Sequence, residues 1–292
     1  MTAHRPSGPP AVSPPVEDAA TAPPARWWWR LLPGGTSGLA SRGPGRVVER
    51  NAWAYRRLWW VFVAGMAEPV LYLFSIGLGV GELVGDLPGP DGPVSYATYV
   101  APGLLAAAAM NGAIFDATIN FFVRFKYMGI YNALLATPIR TRDLAVGEIT
   151  WSLLRGGLYA IAFLVTMLVL GLIESWWALL AAPGAVLIGY AFAGAGLAAT
   201  TWMRSWIDFD YVNVLILPLF LFSATFFPLS EYPDVLGWVV RVTPLYQGVA
   251  LERALVLGDI GWILLVHVAY LAAMGTIGLR IAARRLVGLI QP

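Results

Sequence analysis

The sequence predicts an all-α integral membrane protein. Six transmembrane helices are expected, with an N-terminal amphipathic interfacial helix, a short cytoplasmic helix between spans two and three, and an external re-entrant helical hairpin before the last span. Three observations carry this. Of 292 residues, 58% are hydrophobic and 12% are charged, about half the usual charge of a soluble chain, too little to cover a water-exposed domain. Apolar runs recur, each near the roughly 20 residues that cross a bilayer as helix. Basic residues gather in alternate loops. A soluble enzyme is excluded. The absence of cysteine removes disulfides, thiolate nucleophiles and Cys-held metals. Two histidines, His4 and His267, do not make a His-based metal pair.

Residues 1–45 hold 9 of the 21 prolines. Such a stretch buries too little apolar area to offset its ordering entropy and reads as a disordered cytoplasmic tail. Trp27-Trp28-Trp29, hemmed by Arg26 and Arg30, is too short for the core of a signal peptide. From Arg46 to Leu58 a helical wheel puts Val47, Val48, Ala54, Tyr55 and Leu58 on one side and Arg46, Glu49, Arg50, Arg56 and Arg57 on the other. This is either a basic amphipathic helix in the headgroup layer or a charged flank of span one.

The spans fall near 59–83, 97–122, 149–173, 177–200, 211–228 and 260–279. Spans three and four form a hairpin over Glu174-Ser175, with Trp176-Trp177 at the position of an interfacial aromatic belt. Segment 229–258 holds two apolar pieces broken by Pro244, each too short to cross and therefore re-entrant or interfacial. With both termini inside, 17 of the 19 basic residues are cytoplasmic, Arg155 among them, and Arg241 and Arg253 are external. A seventh crossing would turn Arg280, Arg284 and Arg285 outward.

No phosphate-cradling loop is present, since the single lysine, Lys126, is followed by Tyr127. Energy for any active work enters through another subunit. Phe125 to Ala136 mixes aromatic, Met and Leu residues without the length to span. It reads either as a docking helix for a partner's groove or as cover for the bundle's inner end.

Within that segment, Tyr131 to Pro138 (YNALLATP) followed by Arg142 to Glu148 (RDLAVGE) resembles the coupling region of type-2 ABC exporter permeases. Pro218 to Leu229 (PLFLFSATFFPL) resembles their fifth-span signature, and Tyr232-Pro233 and Thr243 to Tyr246 match their external hairpin. The likeness runs from about Arg46 to Arg285, so 46–285 is the permease domain and 286–292 a short cytoplasmic tail. Its coupling segment is similar to the nodulation protein J-like lipooligosaccharide branch, with daunorubicin-type drug exporters as neighbours.

The resemblance implies a homodimer or paired permeases in the cytoplasmic membrane, each docked to a separate ABC ATPase subunit that holds ATP and Mg. No cofactor is expected in this chain, and nucleic acid is not among its partners; membrane lipids and an amphiphilic glycolipid or drug are. The implied ATPase-coupling residues are Phe125, Met128, Tyr131, Leu134, Leu135 and Arg142.

Polar residues inside spans suggest a substrate path. Glu68 lies about ten residues into span one, where a charge costs on the order of 2.5–3.5 kcal/mol on insertion scales and must be paired, protonated or facing a cavity. Asp116 and Asn120 are one turn apart on span two. They either line a path for sugar or fix helix packing. Phe222 and Phe226 could gate a lipid tail. Asp208 and Asp210 beside Arg204 suggest a solvated ion pair, His267 a packing residue, and Gly189, Gly194 and Gly196 close helix contact. A membrane-embedded lipid-modifying enzyme would need acidic or His residues converging at one face, and here they are scattered. An anchor subunit leaves Glu68 without purpose. No catalytic residue is visible.

Overall fold

The computed structural model describes residues 43–55, 67–90, 92–127 and 141–290. Helix α1 spans Gly43–Tyr55. Helix α2 follows at Ala67–Val84, with a π-helical turn at Leu73–Leu78. A small hairpin, β1 (Leu87–Gly89) and β2 (Gly92–Val94), pairs Leu87 with Val94. Helix α3 spans Tyr96–Asn120, its last turn a π turn from Asp116 to Asn120. Helices α4 (Thr141–Val169) and α5 (Trp176–Thr200) form the central hairpin. Then come α6 (Asp208–Leu221), α7 (Asp234–Val242), α8 (Pro244–Leu257) and α9 (Ile263–Ile290).

Local chemistry sets the boundaries. Ser95 opens α3 by accepting from the Thr98 N–H at 3.2 Å. Gly171, at φ 68°, closes α4, and Ser175 starts the next helix by accepting from the Trp177 N–H. Thr243 accepts from the Tyr246 N–H, Pro244 takes the first turn, and Gly258 ends α8 at φ 88°.

Helix α5 is the centre, packed against α3, α4 and α9. Small residues make this possible. A Cβ on Gly194 would lie 2.5 Å from the Gly275 carbonyl, and one on Gly278 would strike the Gly194 backbone. The Tyr190 hydroxyl meets Thr276 Oγ1 at 3.1 Å across the same seam. Outward faces stay apolar: Leu158, Ile161, Val165 and Leu168 of α4 are all exposed. Among the described residues five helices are long and apolar enough to cross a membrane: α2, α3, α5 and windows of α4 and α9.

Three expectations change. Helix α1 begins at Gly43, and Arg56 to Leu58 lie outside the described residues. Its inward face takes Val47 from the apolar side of the wheel together with Arg50 and Asn51: Val47 is fully buried and packs on Gly147 of α4, while Ala54 of the apolar side is exposed. The span expected at 211–228 is a helix only from Asp208 to Leu221, 14 residues and thus about 21 Å long. Beyond it Ser223 Oγ caps the Phe220 carbonyl and meets Thr225 Oγ1 at 2.7 Å, and Ala224 sits at φ 55°. Hydroxyl side chains here out-compete the helix for backbone groups. Third, Arg155, counted with the inner loops, lies more than two turns inside α4 and is buried.

Candidate functional site

Glu68 lines the wall of a cavity of about 450 Å³ between α2, α3, α4 and α6. Leu104, Phe115, Phe163 and Phe220 give it apolar walls, while Asn111, Arg155, Tyr159 and Asn213 supply polar groups. The mixture suits a ligand with an apolar body and a few polar anchors. Glu68 itself is exposed toward this space.

Asp116 and Asn120 do not line the cavity. They sit behind it as a support: Asp116 Oδ1 accepts from Asn120 Nδ2 at 2.6 Å and from Arg155 Nη2 at 2.7 Å. Both members of the pair are buried, at 8% and 5% side-chain exposure, so each charge depends on the other. Arg155 thereby presents its guanidinium to the cavity at a fixed position. Phe226 reaches only the edge of Phe220, at 5.2 Å between centroids, and Phe222 is half-exposed away from it.

A second polar cluster adjoins the first. Glu148, near the start of α4, receives Arg50 at 2.7 Å and Asn51 at 3.1 Å from α1, and Arg124 at 2.5 Å from the segment after α3. The Tyr55 hydroxyl then accepts from Arg124 Nη2 at 3.5 Å and Arg155 Nη1 at 3.3 Å. The result is an unbroken line, Arg50–Glu148–Arg124–Tyr55–Arg155–Asp116–Asn120, from α1 to the cavity wall. Lys126 donates to the Arg204 carbonyl nearby. Asp208 forms no ion pair with Arg204. It accepts from the backbone N–H groups of Arg204 (2.6 Å) and Ser205 (3.0 Å), which hold its carboxyl below the ordinary value.

At the other end of α4 the charges are arranged differently. Glu252 of α8, outside the crossing helices, is fully buried against Gly184, and neither carboxyl oxygen has a hydrogen-bond partner. Burial pushes this carboxyl well above the usual range. Arg253, its neighbour, donates to the carbonyls of Tyr99 (3.3 Å), Ala224 (2.8 Å) and Thr225 (3.4 Å). It holds the irregular backbone after α6. His267 is not isolated: its Nδ1 meets Gln247 Oε1 at 2.5 Å.

Of the residues singled out in the sequence, Glu68 thus lines the cavity and Asp116 and Asn120 lie behind it, while Arg155, Glu148, Glu252 and Arg253 were not singled out as elements of sites. Of the coupling residues, Met128, Tyr131, Leu134 and Leu135 lie outside the described residues, and Phe125 and Arg142 are placed only as backbone in helical turns.

A bundle with lipid-facing helices, a cavity of mixed polarity and a polar line from that cavity to a surface helix defines a membrane transport subunit. The comparisons agree. The ABC-2 type transporter family profile matches residues 45–257, and the chain belongs to that family. It is 32% identical over 230 residues to nodulation protein J of Rhizobium leguminosarum bv. trifolii, covering 78% of this chain and 84% of that one. It is 30% identical over 216 residues to nodulation protein J of Rhizobium meliloti (strain 1021), covering 73% and 80%. The inner membrane transport permease YadH of Escherichia coli (strain K12) is 25% identical over 213 residues, covering 68% and 78%. The chain is thus an ABC-2 permease, the membrane subunit of a transporter rather than its ATPase, and the family works with a separate ATPase subunit.

Proposed function

We propose that this permease exports an amphiphilic, lipid-linked sugar of lipooligosaccharide type outward across the cytoplasmic membrane. The observation that carries the reading is the cavity at Glu68. Its aromatic and aliphatic walls match an acyl chain, and Glu68, Asn111, Tyr159 and Asn213 offer acceptors and donors for hydroxyl and amide groups. The likeness to the nodulation protein J relatives supports the cargo class.

In this reading ATP and Mg bind a separate ABC ATPase that docks at the segment 125–136, with Phe125, Met128, Tyr131, Leu134, Leu135 and Arg142 as its contacts. ATP-driven closure moves that segment and α1, the polar line through Glu148 and Arg155 carries the shift to the cavity wall, and α2 and α6 rearrange to release cargo. The chain crosses six times with both termini in the cytoplasm. Segment 222–228 completes the crossing that α6 is too short to make, as irregular backbone whose carbonyls Arg253 satisfies. The permease pairs with a second copy or a sister chain through α6, where Tyr211, Val214, Leu215 and Leu217 are exposed.

Gentle purification from native membranes, with mass spectrometry of co-purifying chains, tests the assembly: a stoichiometric ABC ATPase is expected, and none under conditions that preserve such complexes defeats the proposal. Tyr131→Asp or Leu135→Asp is expected to release the ATPase with the spans folded. A second reading, export of a hydrophobic drug, draws on the single carboxylate of Glu68 in apolar walls, which would attract a cationic amphiphile. Glu68→Gln separates the two, since it should abolish stimulation by cations yet spare lipid-linked sugar.

A further inference from the structure

Another cavity, about 540 Å³, lies at the end of the molecule remote from Glu148, between the β-hairpin, α8 and the start of α9. That end is fixed by the Glu174 N–H donating to the Val256 carbonyl, which ties α8 to the α4–α5 turn. Tyr99, Tyr246, Arg253, Asp259 and His267 face this cavity. None of these belongs to the Glu68 cavity.

Arg253 is its distinctive member. Nε and Nη2 are consumed by the three carbonyls of Tyr99, Ala224 and Thr225, and the guanidinium lies 3.8 Å from the Tyr99 ring centroid. Its orientation is therefore fixed, and Nη1 makes no hydrogen bond among the described residues. No carboxylate among the described residues lies within 4.0 Å of it. Glu252 is turned by one helical step onto Gly184, and Asp259 is exposed at the rim. A guanidinium in a walled cavity with no carboxylate in contact among the described residues favours an anion there, and its fixed geometry matches phosphate oxygens. The Tyr246 hydroxyl stands on the same wall as a further donor.

The surroundings say where the phosphate comes from. Trp262 and Leu265 beside the cavity, and Trp238 and Val239 on α7, are exposed apolar side chains. Exposed tryptophans of this kind mark the depth of lipid headgroups. We infer that this cavity binds the phosphate of an anionic lipid headgroup, with Arg253 as its recognition cation and Tyr246 as a supporting donor.

The test uses the full chain in detergent, delipidated and titrated with phosphatidylglycerol, phosphatidylcholine or inorganic phosphate, with bound lipid read by native mass spectrometry and stabilisation by thermal unfolding. Wild type is expected to hold phosphatidylglycerol at least about tenfold more tightly than phosphatidylcholine, the effect of one charge-assisted contact. Arg253→Gln should remove that preference. Because Arg253 also satisfies backbone carbonyls, Ala250→Trp, which adds bulk to the cavity wall while keeping the arginine, serves as the second variant and should do the same. Equal retention of the two lipids by wild type, or unchanged preference in Ala250→Trp, overturns the inference. Inorganic phosphate stabilising as well as phosphatidylglycerol overturns the lipid assignment and leaves a free-anion pocket.

Discussion

The two ends of α4 handle the same residue types in opposite ways. Near its start, the carboxylate of Glu148 is saturated by Arg50, Arg124 and Asn51 and joins three chain segments. Near its far end, Glu252 and Arg253 are adjacent in sequence yet make no pair: the carboxyl is buried without a hydrogen-bond partner and burial favours its protonated form, and the guanidinium holds backbone carbonyls and faces a cavity. Adjacent residues on a helix point about 100° apart, so neighbours in sequence rarely face each other, whereas residues 24 and 98 apart meet when helices pack. Ion pairing ties α1, the segment after α3 and α4 together at one end, whereas at the other end the arginine is spent on backbone carbonyls.

Breaking the saturated cluster should have the largest effect. Glu148→Ala leaves two guanidinium groups without their carboxylate, and removing one partner of a buried pair costs about 3–5 kcal/mol. A marked fall in the unfolding temperature in detergent is expected, with loss of α1 from its place against α4 read as faster hydrogen exchange over Gly43–Tyr55. An unfolding curve matching wild type would show that α1 is held by Val47 and Gly147 alone.

Next comes the Asp116–Arg155 pair. Arg155→Met or Asp116→Leu alone should destabilise by a similar amount, but the double replacement should recover most of it, because exchanging a buried ion pair for apolar residues of like size is often neutral. Additive losses in the cycle would mean that the two side chains act separately.

Glu252→Gln should shift stability in the opposite direction. A carboxyl whose folded value is raised favours the fold while protonated in both states, and that contribution fades as pH rises above the ordinary Glu range toward the raised folded value. Gln stays neutral, so the variant is expected to unfold at a higher temperature than wild type at pH 8, with the gap closing toward pH 4. A lower unfolding temperature at pH 8 would mean that the charged form is wanted.

The smallest effect belongs to Asp208, which is part-exposed at the start of α6. Its lowered carboxyl stabilises the fold above the ordinary Asp value, and the contribution is lost as pH falls through the depressed folded value. Asp208→Asn should lower stability slightly at pH 7, with the gap to wild type closing as pH falls through the depressed folded value.

How much of this was readable in advance follows from the range of each interaction. Apolar runs and caps act over a few residues, so α3, α4, α5, α8 and α9 and the break at Pro244 were legible, as were the glycines of α5 that let its neighbours approach, Gly194 toward α9 and Gly196 toward α3. The Asp116–Asn120 bond is one helical turn long and could be seen. The partners of Glu148 lie 24, 97 and 98 residues away and could not. Arg155 misled because position in a list of basic residues says nothing about depth once a buried carboxylate neutralises it. The end of α6 at Leu221 depends on Ser223, Thr225 and an arginine 28 to 32 residues further on, so apolarity alone extended the helix too far.

The polar line from α1 to the cavity is the centre of the account, and one measurement addresses it directly. The permease, reconstituted with its co-purified ATPase, is assayed for ATP turnover with and without lipid-linked oligosaccharide, in wild type and in the double replacement Asp116→Leu with Arg155→Met. The account predicts an intact complex and an unchanged basal rate in the double variant, with the cargo-stimulated increment reduced at least about tenfold, a loss of about 1.4 kcal/mol of coupling. Full stimulation in that variant would contradict it and route the signal around Arg155.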